Sequence, residues 1–185
     1  MGVMTIPPVD DSLRVVIDGL PDFPMGSMEV NLADAWTRPR PLVYLSGTIT
    51  KDPKHLEWRK WAEAVLSEHD IGVLSPVRGK NPEDWTKDGL NGSACTAYSG
   101  GAFVFRDRRD LERCNAVLLY FPESPGRQSI GTWAEFGYAV WGLGKPVVVV
   151  SELPEVIGHP FVYRLAAKVV PTLEEAIDYL VFLLG

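Results

Sequence analysis

The sequence is poor in the residues that build metal centres and covalent scaffolds. It has two cysteines, Cys95 and Cys114, and three histidines, His55, His69 and His159. Neither set has the spacing of a metal site or a catalytic triad, so a zinc centre and a disulfide framework drop out of the reading. Two cysteines in a chain of 185 residues point to free thiols in a reducing compartment. Positive charge is short as well: 18 Lys and Arg against 24 Asp and Glu leave a net charge of −6. That balance argues against nucleic acid or an anionic membrane as a partner reached by bulk electrostatics. A small phosphorylated ligand needs only a few local donors and stays open. The longest apolar runs, "AVLLYF" and "PVVVV", are far too short to span a bilayer. The opening "MGVMTIPPVDDS" lacks the basic start and apolar core of a signal peptide. Internal repeats and low-complexity tracts are absent. The expectation is a cytoplasmic protein without membrane, nucleic-acid or metal partners.

What is present is enough apolar content, 46%, for one domain with a real core. Residues 1–40 are punctuated by Pro and Asp ("IPPVDD", "LPDFP", "TRPRP") and read as an extended arm with a short strand at "RVVIDG". Residues 41–185 alternate strand and helix. "LVYLSG", "IGVLSP", "NAVLLYF", "PVVVV" and "AAKVV" read as strands. "DPKHLEWRKWAEAVLSEHD" repeats apolar residues at Leu56, Trp61, Ala62, Val65 and Leu66, the spacing of one helical face. "DRRDLERC" reads as helical, and "TLEEAIDYLVFLLG" as an amphipathic helix capped by Thr172 with Glu175 completing the box. Strands apolar throughout and separated by helices imply a mostly parallel sheet of about five strands covered on both faces. Ligands in such folds bind beyond the carboxyl ends of the strands. "SGTITKDP", "SPVRGKN" and "PESPGRQSIGT" follow the first three strands and should line one cleft, with the long polar segment after Pro76 beside it.

One acid stands out. In "SIGTWAEFGYAVWGLGKPVVVV", Ser129 to Val150, Glu135 sits among small, aromatic and aliphatic residues, where a carboxylate is seldom left without a partner or a task. Two readings are open. Thr132 and Glu135 have capping-box spacing if a helix opens at about Thr132. Alternatively, the helix dipole holds an ionised carboxylate at the mouth of the cleft, as a nucleophile requires.

"YLSGTI", "RDRRDLERCNAVLLYF" and the block from Ser129 to Pro146, with its G-T-x-x-E-x-G-x-A core and G-K-P end, together resemble the nucleoside 2-deoxyribosyltransferase family and its relatives, the nucleoside-monophosphate N-glycosidases. The likeness covers roughly residues 42–150. It implies a flavodoxin-like or Rossmann-like three-layer α/β fold and an enzyme that cleaves the N-glycosidic bond of a nucleoside or its 5'-monophosphate without any cofactor. It makes Glu135 the nucleophile that forms a glycosyl-enzyme ester, resolved by water or, in a transferase, by a second base. Asp107, in the "R-D" that precedes Asn115, becomes the acid/base or leaving-group organiser, with Asp110 nearby. The alternating charges of "FRDRRDLER" also fit a plain solvated face. A non-catalytic nucleotide sensor on the same fold is the rival reading.

Ser46, Gly47 and Thr48 form a small-residue turn suited to ribose or phosphate oxygens, and Ser129 and Gly131 are further candidates for substrate binding. Transferases of the family carry aspartate at the place of Ser129, whereas monophosphate-cleaving relatives carry serine, so the resemblance implies a 5'-monophosphate. Nucleotide-cleaving relatives have an arginine where this chain has Thr50; Lys51, Arg59, Arg78 or Lys80 would then supply the charge. Trp85, Tyr98 and Phe103 are candidates to stack on a base or to cover the core. Trp133, Phe136, Tyr138, Val140 and Trp141 make the Glu135 helix apolar nearly all round, and a second copy of the chain is expected against it, as in the oligomers of the family.

Overall fold

The computed structural model describes residues 14–17, 28–31, 39–49, 54–78, 102–121 and 129–185. Two compact units divide the chain, Met1–Pro39 and Arg40–Gly185. In the first, β1 (Arg14–Ile17) pairs antiparallel with β2 (Met28–Asn31), Val15 opposite Val30. The expected strand at "RVVIDG" is β1. Its partner "MEVN" alternates apolar and polar residues but is too short to announce itself, and only the ladder makes it a strand.

The second unit runs β3 (Leu42–Gly47), α1 (Lys54–Glu68), β4 (Gly72–Leu74), α2 (Ala102–Arg113), β5 (Ala116–Tyr120) and α3 (Ile130–Gly137). It continues with β6 (Val147–Val150), α4 (Pro154–Ile157), α5 (Pro160–Leu165), β7 (Lys168–Val170) and α6 (Leu173–Leu184). The five strands of this unit pair in parallel in the order β4-β3-β5-β6-β7. The chain steps to one side of β3 to lay down β4, then returns to the other side for β5. That reversal places the topological switch point at the carboxyl ends of β3 and β5, where an open α/β sheet forms its ligand crevice.

Period-two alternation divides each strand between two cores. Val43 and Leu45, Ala116 and Leu118, and Val148 and Val150 pack with Trp58, Ala62 and Leu66 of α1 and with Ala176, Ile177 and Leu180 of α6. On the other face Tyr44, Val117, Leu119, Val147 and Val149 meet Leu111 of α2, Phe136 and Ala139, Val156 of α4 and Val162 of α5. All four valines of β6 are at most 1% exposed, which explains a strand with no polar residue: both its faces are covered. The result is a three-layer α/β fold with a wholly parallel sheet in this unit. No described helix is long and apolar enough to cross a membrane.

Four helices differ from expectation. In α1 the buried positions are Trp58, Arg59, Ala62 and Leu66, while Trp61 is 37% exposed. The inward row is 58, 62 and 66, and Trp58 anchors it by meeting Tyr120 edge-on at 5.1 Å. Beside that row lies a buried arginine, Arg59, which hydropathy alone counts as outward. Helix α3 opens at Ile130 rather than near Thr132 and passes into a π-helical turn, Tyr138–Gly142. The short helices α4 and α5, each with proline in its first turn, were not expected. At the far end Thr172 caps α6 as expected, accepting from the Glu175 amide at 3.2 Å. Cys114 is buried and donates to the Leu111 carbonyl; Cys95 lies outside the described residues.

Gly47 closes β3 at the switch point, and a methyl there would come within 3.0 Å of the Tyr120 carbonyl oxygen and 3.1 Å of the Trp58 ring. Gly47→Ala should therefore destabilise the domain by about 1–3 kcal/mol through overpacking. A urea melt would report this as a lower midpoint with unchanged slope; a midpoint equal to wild type would show that the crevice edge has slack.

Candidate active site

Helix α3 carries Glu135 and takes its position from its cap. Ser129 is the N-cap, and its Oγ accepts from the Thr132 amide at 3.4 Å. Thr132 is buried and caps nothing, so the capping box read at Thr132 and Glu135 does not form. Glu135 sits in the second turn, past the reach of the terminal amides, and the expected stabilisation by the helix dipole does not apply there. Its carboxylate turns to the sheet instead. Oε1 accepts from the Tyr44 hydroxyl at 2.8 Å and Oε2 from Ser46 Oγ at 2.5 Å.

Tyr44 and Ser46 are two apart on β3 and so share a face; both are fully buried. Burial raises the pKa of Glu135 above the ordinary carboxylate value, and the negative charge of Asp107 adds to the rise. The hydrogen bonds from Ser46 and Tyr44, and the positive charge of Arg59, pull the other way. Burial and then the Glu135 charge hold the Tyr44 hydroxyl well above its usual range, so Tyr44 stays a donor.

Helix α2 supplies the opposing wall. Asp107 and Asp110, three apart, share its inward face at 8% and 2% exposure, which corrects the solvated-face alternative. Asp107 pairs with Arg106 at 3.4 Å, and Arg106 donates to the carbonyls of Pro76 and Arg78. Asp110 takes both terminal nitrogens of Arg78, which also donates to the Ser75 carbonyl. Arg78 and Asp110 are thus partners of each other, strapping the segment after β4 to α2.

Arg59 is 2% exposed and donates to the carbonyls of Gly47, Thr48 and His55, with its guanidinium 4.4 Å from the Trp58 ring centroid. Burial lowers its pKa to about 10. It holds the turn after β3 from behind rather than reaching outward as a phosphate cation. Lys51, Lys80, Trp85 and Tyr98 lie outside the described residues.

A cavity of about 360 Å³ opens between the two helices. Phe103, Val104, Asp107, Arg108 and Leu111 line it from α2, and Gly131, Ala134 and Glu135 from α3, with Tyr138 following them. The structure thus brings Glu135, Asp107 and Gly131 to one space. Ser46 reaches that space through its bond to Glu135, and Gly47 and Thr48 stand behind it with their carbonyls on Arg59. Ser129, Arg78 and Asp110 are not part of its lining.

The sequence reading missed three residues here: Tyr44, Arg108 and Tyr138. Tyr44 had a signal, a hydroxyl in mid-strand two residues before Ser46 in an otherwise apolar run. Arg108 had none, because its neighbours on α2 are charged whichever way they face. Among the described residues no group of three or more His, Cys, Asp and Glu could hold a metal ion.

No family profile and no curated protein sequence matches this chain. Solved structures do. A 2-deoxyribosyltransferase from Leishmania mexicana superposes with a TM-score of 0.56 at 16% identity, over 77% of this chain and 97% of that one. A 2-deoxyribosyltransferase from Bacillus psychrosaccharolyticus does so with a TM-score of 0.54 at 20% identity, over 75% of this chain and 91% of that one. This chain therefore has the fold of the 2-deoxyribosyltransferases.

Because burial raises the pKa of Glu135, ionised Glu135 costs the folded state stability. The cost is absent below the carboxylate's unfolded pKa, about 4.3. It grows as pH rises toward the raised folded value and is complete above it. Glu135→Gln should therefore be more stable than wild type at neutral pH, with the gain shrinking as pH falls toward about 4. Thermal melts across that range test this; a Gln variant less stable at pH 7 would mean that Tyr44 and Ser46 more than offset the burial.

Proposed function

We propose that the protein is an enzyme that cleaves the N-glycosidic bond of a nucleoside or nucleoside 5'-monophosphate through a glycosyl ester of Glu135, resolved by water. One observation carries the reading: a partly buried carboxylate with both oxygens held by hydroxyl donors, sharing a cavity with a second carboxylate, Asp107, at the switch point. Among the described residues Glu135 is met by hydroxyls alone, whereas Asp110, a strap, is met by Arg78.

In the first step a Glu135 oxygen attacks the anomeric carbon as the C–N bond breaks and its electron pair leaves with the base. Asp107, in its acid form, gives the departing base a proton. Water then attacks the same carbon, loses a proton to Asp107 and frees the Glu135 carboxylate. This is the retaining two-carboxylate scheme, one group as nucleophile and the other as acid and then base. Tyr44 and Ser46 orient the nucleophile and moderate its basicity. A 5'-phosphate fits the uncharged Ser129 at the opening of α3 better than an aspartate there would. The deoxyribosyltransferase fold keeps base exchange as the second reading. Trp141, 65% exposed and edge-on to the half-exposed Phe161 at 5.2 Å, is the surface that a second copy would cover in the homo-oligomer this reading includes.

Incubation with a panel of nucleosides and 5'-monophosphates, with and without an added free base, should show base release by chromatography. Glu135→Ala should reduce it by at least about a thousandfold while leaving the circular dichroism spectrum unchanged. New nucleosides formed from the added base would select the transferase; wild-type turnover by Glu135→Ala would remove the nucleophile.

The nucleophile must be ionised, so kcat/KM should rise with pH through the raised pKa of Glu135, an acidic limb above the ordinary carboxylate range of about 4.3. Tyr44→Phe removes a bond that favours the anion and should move that limb to higher pH. A limb unmoved in Tyr44→Phe would assign it to another group.

A further inference from the structure

Beyond Glu135 and Asp107, two more polar groups reach the cavity, those of Arg108 and Tyr138. They are tied together. Arg108 Nε donates to Glu112 Oε1 at 3.0 Å and to the Tyr138 hydroxyl oxygen at 3.2 Å, and the Tyr138 hydroxyl donates to the same Glu112 oxygen at 3.0 Å. The Arg108 guanidinium lies 5.5 Å from the Tyr138 ring centroid. Both of these bonds from Arg108 leave from Nε, so among the described residues the paired Nη1 and Nη2 donors are uncommitted at a fixed guanidinium plane. Arg108 is also the one cation among the described residues that line the cavity.

We propose that Arg108 is the base-reading residue, donating through its two terminal nitrogens to O6 and N7 of a 6-oxopurine. The proposal rests on the N-glycosidic reading of the site and names its substrate class. Three features favour a base over a phosphate. First, the charge beside Arg108 has the wrong sign for an anion: Glu112 neutralises it locally, and Glu135 and Asp107 line the same cavity. A dianion would meet a cation already paired with one carboxylate, in a cavity that Glu135 also lines, whereas neutral ring acceptors are indifferent to that balance.

Second, the rest of the lining is suited to a flat ring. Phe103, Val104 and Leu111 on one side and Ala134 on the other are apolar, as base pockets commonly are. Third, the donor fork matches one base edge. Guanine and hypoxanthine offer two neighbouring acceptors, O6 and N7, on one edge, and an arginine fork reads that pair. Adenine places an amino donor where O6 would be. Cytosine presents an amino donor, N4, on the corresponding edge. Tyr138 lies one turn beyond Glu135 along the same row of the helix, about 5 Å further, which suits the O6 end of that edge. Arg108 is 59% exposed, so its edge stands at the cavity mouth and the selection is moderate.

Calorimetric titration of the Glu135→Ala protein with the 5'-monophosphates of 2'-deoxyguanosine, 2'-deoxyinosine, 2'-deoxyadenosine, 2'-deoxycytidine and 7-deaza-2'-deoxyguanosine tests this. The guanine and hypoxanthine nucleotides should bind at least about tenfold tighter than the adenine nucleotide. The 7-deaza compound, which lacks the N7 acceptor, should lose most of that advantage. Arg108→Met should bring guanine down to the adenine level while leaving adenine unchanged, and Arg108→Lys should not restore the preference, because an ammonium cannot present the fork. Preference for adenine or cytosine, or the absence of any binding, overturns the proposal. Equal weakening of every nucleotide in Arg108→Met also overturns it and makes Arg108 a phosphate anchor. Guanine selectivity in a wild-type protein that releases no base would refute the glycosidase reading and leave the base site standing; base release with adenine preferred would do the reverse.

Discussion

The carboxylate of Glu135, held against the sheet by Tyr44 and Ser46, is the interaction on which the rest of the site depends. Placing an anion in a poorly solvated crevice is unfavourable, and the surroundings are arranged to limit that cost without neutralising the charge. Tyr44 has to be a tyrosine in mid-strand because its ring fills the second core while its hydroxyl reaches the rim. Ser46 has to lie two residues further along. Both are possible because β3 is an interior strand of the sheet and ends at the switch point. Arg59, behind the strand end, contributes positive charge without touching the carboxylate. It needs backbone carbonyls as acceptors, and the turn after β3 provides them.

The arginines follow a common rule. Arg59, Arg78 and Arg106 all place their guanidinium groups on backbone carbonyls, Arg78 and Arg106 each also taking a carboxylate. They tie strand-end segments to helices. In a chain with net charge −6, these three arginines are thereby committed to internal straps. Helix α2 shows the same economy, with Asp107 and Asp110 turned inward and Arg108 and Glu112 turned out toward the cavity mouth. One helix thus braces the fold through Asp110 and furnishes the cavity through Asp107 and Arg108.

The strand segments of the second unit were legible because burial on both faces forces continuous apolar runs, and parallel pairing follows from the helices between them. Glu135 was legible for the same reason: a lone acid in apolar surroundings is visible against its background. The start of its helix was not. Ser129 and Thr132 are both good caps, and the choice depends on where the chain leaves β5. Trp61 and Trp58 were exchanged in the reading of α1 because two tryptophans three apart both fit an amphipathic helix. Only Tyr120, on a neighbouring strand, selects Trp58.

By itself, then, the sequence determined the three-layer architecture, the central strands and the identity of the anomalous carboxylate, since each is written in the local period and polarity of the chain. The tertiary structure alone decided which groups meet that carboxylate. Tyr44 and Glu135 are 91 residues apart, and Arg78 and Asp110 are 32 apart. Whether an arginine becomes a strap or a reader of ligand depends on which acceptors the fold brings within 3 Å or so, and no local pattern carries that information.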